Sequence, residues 1–353
     1  MSGERQEEAP KKSLEPFLRW AGGKRWLAKS VSPILKQLLQ KTDGTYIEPF
    51  LGAGAMFFGL APQRARLSDS NAALIATYQT IAKSARDVEQ LVAGYLVSAE
   101  SYYALREVEP VDSIEAAARF IFLNRTCYGG LYRENLSGKF NVPYGGGSRT
   151  PAKVLREALI TRAQFALRGV RLSCCDFEQA IADARAGDIV YCDPTYSNVS
   201  RSAFDRYGAT LFNWQDQERL AFCAEQAMLR GATVLVSNGS FDDLFDLYPA
   251  AYRIALKRKK TIGNNPADAN RHREHLLILD PESRLHLWRS IGDIENRKLK
   301  RRYSPRYLVH RDGNRLTGCA SSSGGQAASV SVVSGRVSCV WLSLPGLRSR
   351  KAR

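Results

Sequence analysis

Residues 45 to 69 constrain the fold of this chain more than any other stretch. "TYIEPF" (45–50) is typical of a strand that runs into a turn, and "GAGAMFFGLA" (52–61) of a glycine-rich turn that begins a helix. "ARLSD" (65–69) follows as a second short strand, and "NAALIATYQTIAKSA" (71–85) has apolar residues at helical spacing. Strand, glycine turn, helix and strand, in this order, predict a parallel, doubly wound α/β sheet.

Strand patterns resume only after a long and different segment. Residues 72–164 are mostly helical in pattern and end in the loop-like "YGGLYRENLSGKFNVPYGGGSRTP". Four strand patterns follow: "VRLSCCD" (170–176), "IVYCDP" (189–194), "ATVLVSN" (232–238) and "EHLLILD" (274–280). We therefore expect a sheet domain of residues 16–71 and 165–280, with a mainly helical insertion, residues 72–164, between the second and third strands.

The net charge of +16 is concentrated in the last fifth of the chain. Residues 281–353 contain 15 Lys and Arg against 4 Asp and Glu, a balance of +11, which leaves +5 for residues 1–280. The charge alone therefore gives only weak support for nucleic-acid binding by the first 280 residues. We expect residues 281–353 to be a disordered basic tail, with a non-specific DNA tether as the second interpretation.

Other sequence features exclude several classes of protein. No apolar run reaches the roughly 18 residues of a membrane span, and the polar N-terminus lacks the apolar stretch of a signal peptide. The seven cysteines include no C-x-x-C pair, and "HREH" (272–275) does not match a zinc motif, so we expect no disulfide framework and no metal site. The expected location is the cytoplasm.

A glycine turn and an acidic residue are the first candidates for chemistry. Gly52 and Gly54 in "FLGAG" would let a ligand approach the backbone, although a packed strand-to-helix turn explains them equally well. Asp69 ends the next strand, where a carboxylate commonly accepts hydrogen bonds from ribose hydroxyls. The alternative for Asp69 is an N-cap for the helix that follows.

The stretch "DIVYCDPTYS" (188–197) places a carboxylate at the end of a buried strand. Asp193 precedes Pro194 and an aromatic residue, Tyr196, and an Asp-Pro pair by itself is most often a turn. This strand end should lie on the same edge of the sheet as the glycine turn and Asp69. A carboxylate, a turn carbonyl and an aromatic face together suit a planar amine.

With these motifs in order, the chain resembles the Dam-type (D12 class) site-specific adenine-N6 DNA methyltransferases. The resemblance covers about residues 16–280 and rests on six segments in family order: "PFLRWAGGKRWL", "YIEPFLGAGAMFF", "LSDSNAALIATY", "FLNRTCYGGLYRENLSGKFNVPYG", "VYCDPTYS" and "VSN". It implies a Rossmann-like methyltransferase sheet, a target-recognition insertion and S-adenosylmethionine as methyl donor.

The resemblance also implies roles for single residues. Asp193, Pro194 and Tyr196 match the D-P-P-Y catalytic motif, in which Thr195 replaces the second proline and loosens the turn. The residues matching cofactor positions are Trp20, Lys24, Phe50, Gly52, Gly54, Asp69, Asp176 and Asp193. The expected reaction is direct methyl transfer to N6 of an adenine that has been flipped out of duplex DNA.

Target recognition would fall to the insertion. Arg133 matches a guanine-reading position, Tyr128 matches an aromatic that wedges into the duplex, and Arg19 suits a phosphate or flanking-base contact. Asn135 and Pro143 lie in the same matching segment and are assigned to DNA as well. Gly129 and "GGGS" depart from the family pattern, so the recognised sequence stays open.

Two other function classes remain open from the sequence. One is a methyltransferase that acts on RNA or on another planar amine, and the other is a catalytically inactive DNA-binding relative. The retention of Lys24, Asp69 and Asp193 together argues against the inactive protein. Double-stranded DNA is the expected partner of a bacterial or phage-encoded enzyme, and a cognate restriction endonuclease is a candidate second partner.

Overall fold

The computed structural model describes residues 14–20, 22–135, 137–146, 158–194, 212–239, 242–256 and 274–296, together with four strand backbones between 307 and 342. The chain divides into two compact units. The first comprises Met1–Pro194 and Phe222–Val236, and the second comprises Thr195–Ala221 and Ser237–Arg353.

Seven strands of the described residues belong to one mixed sheet, as expected for this fold class. Five of these strands are parallel, in the order β3-β2-β1-β4-β5, and they define the edge that carries the candidate site. They are β1 (Tyr46–Glu48), β2 (Ala65–Asp69), β3 (Arg171–Cys174), β4 (Ile189–Cys192) and β5 (Thr233–Gly239).

The register of these strands is set at the centre of the sheet. Ile47 of β1 pairs with Arg66 of β2 on one side and with Val190 of β4 on the other. Strands β1 and β4 are buried at every position, as is typical of central parallel strands that are covered on both faces. The predicted bounds of β2 agree with the structure at both ends.

The helices before β4 cover the sheet and build the insertion. They are α1 (Arg25–Thr42), α2 (Ala55–Leu60), α3 (Ala72–Gly94), α4 (Ala99–Glu107), α5 (Ser113–Thr126), α6 (Leu159–Ala166) and α7 (Phe177–Ile181). Side chains cap the three long elements of the insertion: Asn71 accepts from the Leu74 N–H, Ser98 from the Ser101 N–H, and Asp112 from the Glu115 N–H.

Helix α1 continues through Pro33, although a proline inside a helix generally favours a break or kink. Proline removes the amide that would bond to the carbonyl of Lys29. Both residues lie on the exposed face of the helix, so water can satisfy that carbonyl. The buried face, with Leu27, Val31 and Leu35, is uninterrupted.

A short hairpin follows α5 and is held by two isolated antiparallel bridges. Cys127 pairs with Tyr144, and Glu134 pairs with Phe140. We call residues 131–144, with 136 outside the described residues, the recognition hairpin. A 3-10 turn, Tyr128–Gly130, connects α5 to this hairpin, and Gly129 within it has a positive φ of 65°.

The second unit contains α9 (Asp242–Asp246), the antiparallel pair β6 (Tyr252–Leu256) and β7 (Glu274–Leu279), and α10 (Leu285–Asn296). Helix α8 (Trp214–Leu229) begins in this unit and ends in the first. In α10, Trp288 is fully buried and donates from Nε1 to Asp280 Oδ2 at 2.8 Å. The predicted tail boundary after Asp280 therefore separates this helix from the residue on which it packs, and we place the end of this folded part after Asn296.

The tail also differs from the disorder that we predicted for it. Four strands form an antiparallel sheet in the order β11-β10-β9-β8. They are β8 (Tyr307–Asp312), β9 (Arg315–Ser321), β10 (Ala327–Val333) and β11 (Arg336–Leu342). The segment "SVSV" (329–332) alternates serine with valine, and this period-2 pattern is the sequence signal that favours a strand over disorder.

Candidate active site

The carboxyl ends of three adjacent parallel strands bring three acidic residues to one edge of the first unit. Glu48 is the last residue of β1 and Asp69 the last residue of β2, and Asp193 follows the last residue of β4. In open α/β sheets, ligands bind outside this edge. The sequence patterns predicted Asp69 and Asp193 at this edge, but they did not single out Glu48.

The glycine turn after β1 is locked by its neighbours. Gly52 has a φ of 48°, and its amide donates to Asp69 Oδ2 at 3.0 Å. A Cβ at Gly52 would lie 2.9 Å from Cδ1 of the Trp20 ring, so no side chain fits there. Gly54 has a φ of 65° and begins α2 without a side-chain cap. The turn therefore requires glycine for conformation at both positions and for space at Gly52.

Asp69 holds the glycine turn and the loop after β2 together. Its Oδ1 accepts from the Asn71 amide at 3.0 Å, while Oδ2 accepts from Gly52. The cap of α3 is Asn71, whose Oδ1 accepts from the Leu74 amide. The N-cap of α3 is therefore Asn71 and not Asp69. Burial raises the pKa of Asp69, and the backbone hydrogen bonds counteract this rise.

Lys24 and Asp193 form a buried ion pair. Lys24 Nζ lies 2.9 Å from Asp193 Oδ1 and donates to the Gly22 carbonyl at 3.1 Å. The lysine side chain is 2% exposed, whereas the Asp193 side chain is 21% exposed and remains accessible from the edge of the sheet. Lys24 occupies the N-cap position of α1 but makes no cap hydrogen bond, because an ammonium has no acceptor to offer.

Glu48 is a buried carboxyl group that sequence reasoning missed. Its Oε2 accepts from the Tyr46 hydroxyl at 2.8 Å and from the Phe57 amide of α2 at 3.1 Å. Burial is the main cause that raises the pKa of Glu48 to about 8, and the nearby carboxylate of Asp193 adds to it. The group therefore keeps its proton at neutral pH, which lets a third acid lie at this edge without a third negative charge.

Two further cofactor candidates lie in the same part of the unit. The ring of Phe50 stacks on Phe177 at 5.4 Å between centroids, with an interplanar angle of 25°. Asp176 is the N-cap of α7, and its Oδ1 accepts from the Glu178 amide at 2.9 Å. Asp176 therefore has a structural role at the end of β3, whichever ligand it contacts.

The N-terminal segment of the site is fixed by the end of α5. The fully buried amide of Asn124 accepts from Arg19 N at 2.8 Å and donates to Arg19 O at 2.7 Å. Arg125 donates to the Phe17 carbonyl at 2.9 Å. A Cβ at Gly130 would lie 2.7 Å from Cβ of Arg19. The segment "FLNRTCYGG" (122–130) therefore holds the backbone of "FLRW" (17–20) in place. Residue types alone did not indicate this role.

All five candidate DNA-contacting residues are exposed, in contrast to the cofactor candidates. They are Arg19, Tyr128, Arg133, Asn135 and Pro143. Arg133 Nε donates to Asn141 Oδ1 at 2.7 Å across the recognition hairpin, which orients the guanidinium. Asn135 Oδ1 accepts from the amides of Ser137 and Lys139, both at 3.0 Å, and shapes the hairpin tip.

Some predicted features fall outside what the structure describes. Thr195 and Tyr196 of the catalytic motif lie outside the described residues, so the described part of that motif is Asp193 and Pro194. Among the described residues, no group of three His, Cys, Asp or Glu side chains could hold a metal ion. No helix in the described part of the chain has the length and apolar character needed to cross a membrane.

A family model matches residues 20–262, which contain the glycine turn, the Lys24–Asp193 pair and the recognition hairpin. The chain belongs to the D12 class of N6 adenine-specific DNA methyltransferases. This match confirms the family, the fold class and the adenine-N6 DNA methyltransferase activity that the sequence predicted.

Relatives of this D12 class enzyme come from bacteria and archaea. The chain is 35% identical over 246 residues to the type II methyltransferase M1.LlaDCHI of Lactococcus lactis, covering 67% of this chain and 85% of that protein. It is 32% identical to the type II methyltransferase M.MjaIII of Methanocaldococcus jannaschii over 75% of this chain and 98% of the relative. It is 31% identical to the DNA adenine methylase of Escherichia coli, over 76% of this chain and 97% of that protein.

Proposed function

We propose that this enzyme transfers a methyl group from S-adenosylmethionine to N6 of an adenine that it flips out of a specific duplex DNA sequence. The observation that carries the proposal is the ion pair of Lys24 with Asp193, which fixes a carboxylate at the end of the strand next to the one that leads into the glycine turn. The proposed catalytic residues are Asp193, Pro194 and Tyr196.

The residues at the glycine turn fit the proposed methyl donor. Gly52 and Gly54 set the conformation of the turn that holds Asp69, and Asp69 offers the remaining lone pairs of its two oxygens to ribose hydroxyls. Trp20 and Phe50 provide aromatic surfaces beside the turn. Lys24, Asp176 and Asp193 complete the proposed cofactor set. S-adenosylmethionine supplies an electrophilic methyl group on a sulfonium.

The chain's own contribution to the chemistry is to bind and orient the amine. The lone pair of adenine N6 is delocalised into the ring, so the amino group is a weak nucleophile. Asp193 Oδ and the Pro194 carbonyl would accept its two N–H bonds, and Tyr196 would stack on the ring. Acceptors fixed before the reaction stabilise the charge that develops on nitrogen and align it with the methyl group.

Base flipping requires the chain to fill the space that the adenine leaves. We assign this role to Tyr128, whose side chain is 63% exposed on the 3-10 turn before the recognition hairpin. Arg133 is the proposed guanine contact, and Arg19, Asn135 and Pro143 complete the proposed DNA surface. A DNA substrate assigns the enzyme to the cytoplasm, and a cognate restriction endonuclease is a proposed second partner.

The alternative substrate is RNA, because motifs like D-P-P-Y serve several planar amines. The exposed recognition hairpin favours duplex DNA, since the deep, narrow major groove of A-form RNA does not admit such readers. Methyl incorporation should therefore be measured on duplex DNA and on RNA of the same sequence. Incorporation into RNA alone would replace this proposal.

We expect Asp69→Ala to weaken S-adenosylmethionine binding by about 1–3 kcal/mol, because two backbone amides and the proposed ribose contact lose their acceptor. Isothermal titration calorimetry measures the affinity directly. Asn71→Ala is the matched control, because it removes the cap of α3 and leaves the carboxylate in place. Unchanged affinity in a folded Asp69→Ala protein would limit Asp69 to a structural role.

We expect Arg133→Ala to relax discrimination at one base pair by about 1–3 kcal/mol, the value of a bidentate guanine contact. Methylation rates on duplexes varied at each position around the target adenine provide the measurement. Arg168→Ala is the control, because Arg168 is also exposed but lies over the Phe165 ring and is not part of the recognition hairpin. A uniform loss on all sequences would make Arg133 a phosphate contact.

Removal of residues 297–353 should leave an active enzyme with weaker non-specific DNA binding. This segment contains 13 Lys and Arg against one Asp, a net charge of +12, while packed helix α10 is retained. The slope of log affinity against log salt should become shallower by about 0.9 per lost phosphate contact. An unchanged slope would show that the tail charge does not meet DNA.

A further inference from the structure

Tyr132 links the recognition hairpin to the N-terminal segment of the active site. Its ring stacks on Trp20 at 5.6 Å between centroids, with an interplanar angle of 19°. Two more rings support it from the insertion, Phe120 at 5.3 Å and Phe140 at 5.6 Å. Tyr132 is the residue before Arg133, the proposed guanine contact, so the two side chains share one short piece of hairpin backbone.

Trp20 contacts the glycine turn as well as Tyr132. The turn approaches the indole so closely that a Cβ on Gly52 would lie 2.9 Å from Cδ1 and 3.0 Å from Nε1. The Gly52 amide in turn donates to Asp69. The indole of Trp20 therefore connects the hairpin to the turn and the acid that we assign to the methyl donor.

The hydroxyl of Tyr132 reaches the same region by a second route. It donates to the Glu134 carboxylate of the hairpin. The side chain of Asn71 interacts with this hydroxyl, and the backbone N–H of Asn71 donates to Asp69. Burial is the largest cause that raises the pKa of Tyr132, so the hydroxyl stays protonated and remains a donor.

We infer that Tyr132 is a positioning residue that couples DNA binding at the recognition hairpin to methyl-donor binding at the glycine turn. This inference rests on the proposed function, because it uses the DNA and cofactor roles assigned above. Coupling between two sites needs an element whose position both ligands bias. The aromatic stack is that element, since the hairpin moves one end of it and the glycine turn contacts the other.

The test is a linkage measurement on the full chain. The dissociation constant of S-adenosylhomocysteine, which has no methyl group to transfer, is measured with and without an unmethylated duplex. The duplex contains the target sequence mapped for the wild-type enzyme. The coupling factor is the dissociation constant without the duplex divided by that with it. For the wild type we expect the duplex to tighten binding by about 5–150-fold. Tyr132→Leu keeps an apolar side chain and removes the ring. In this variant the duplex should change the S-adenosylhomocysteine affinity by less than about twofold, which means that the coupling is lost.

Two variants separate coupling from simple loss of packing. Tyr132→Phe keeps the ring and should retain most of the wild-type factor. Tyr103→Leu removes a half-exposed insertion tyrosine that packs on Tyr102, and it should retain the whole factor. The affinity without DNA should change by less than about threefold in Tyr132→Leu, because the glycine turn itself is intact.

Three results would overturn the inference. They are a wild-type factor near one, an unchanged factor in Tyr132→Leu, and a loss of the factor in Tyr132→Phe equal to that in Tyr132→Leu. If Tyr132→Leu does not fold, Tyr132→Met takes its place, and an unchanged factor in that variant overturns the inference. A wild-type chain that forms no N6-methyladenine refutes the proposed function instead, so the two failures are distinguishable.

Discussion

Replacement of Asp193 by alanine should lower the rate of methyl transfer by at least about 10²–10³-fold, the range found when a preorganised group that stabilises a transition state is removed. The carboxylate is the acceptor that we assign to the adenine amino group. Its accessible position at the sheet edge, 21% exposed, makes it available to a base delivered from outside. Single-turnover methylation of a duplex under saturating donor measures the chemical step.

The same substitution leaves the ammonium of Lys24 buried without its carboxylate. Breaking a buried pair costs roughly 3–5 kcal/mol when both partners are fully buried. We expect about 1–3 kcal/mol here, because Asp193 is partly exposed and water can reach the pair. Denaturant unfolding of the variant gives this value, and activity must be compared at a temperature where the variant is folded.

Asp193→Asn separates charge from hydrogen bonding. The amide keeps one acceptor oxygen and the shape of the side chain but cannot balance the Lys24 charge. We expect activity between that of the alanine variant and that of the wild type. DNA affinity should stay within about threefold in both variants, since the proposed DNA surface lies on other residues. Near wild-type turnover in folded Asp193→Ala would refute the catalytic assignment.

Replacement of Gly52 by alanine should weaken S-adenosylmethionine binding by at least about tenfold, equivalent to roughly 1.4 kcal/mol. Two effects add. An L-residue at a φ of 48° is strained by about 1–2 kcal/mol. The new methyl group would also lie 2.9 Å from the Trp20 ring, so either the turn or the indole must move. Calorimetric titration with S-adenosylmethionine measures the loss.

Two other glycines are matched controls for this substitution. Gly169 has a φ of 72°, and no atom lies within 4 Å of the position that a Cβ would take there, so Gly169→Ala carries the backbone strain without the clash. Gly94 has neither constraint, and Gly94→Ala tests the substitution alone. Both controls should bind the donor as the wild type does. Weakened binding in Gly169→Ala would show that global destabilisation, rather than the turn, explains the Gly52 result.

The sequence predicted the sheet edge well because its determinants are local. Each pattern is contained within a few residues: a short strand followed by a glycine turn, a short strand that ends in Asp69, and a buried apolar strand followed by Asp193. The parallel order of strands then follows from general rules of α/β folds. For this reason the positions of the cofactor candidates could be anticipated from sequence, although their ligands could not.

The contacts that hold the site together could not be predicted because they join distant parts of the chain. Lys24 and Asp193 are 169 residues apart in the sequence, and Arg19 and Asn124 are 105 apart. No local pattern indicates that an asparagine at the end of a helix will bind the backbone of Arg19. The proton on Glu48 likewise depends on burial and on the neighbouring carboxylate, and both arise only in the folded chain.

N6-methyladenine in the DNA of a host that expresses the chain tests the proposed activity most directly. The host should lack adenine methylation of its own, and single-molecule sequencing should compare cells carrying the wild type with cells carrying Asp193→Asn. We predict N6-methyladenine at one short recurring sequence in the wild-type cells and less of it in the Asp193→Asn cells, in line with the intermediate activity expected of that variant. Host DNA without N6-methyladenine, from cells that contain folded wild-type protein, would contradict the proposed activity.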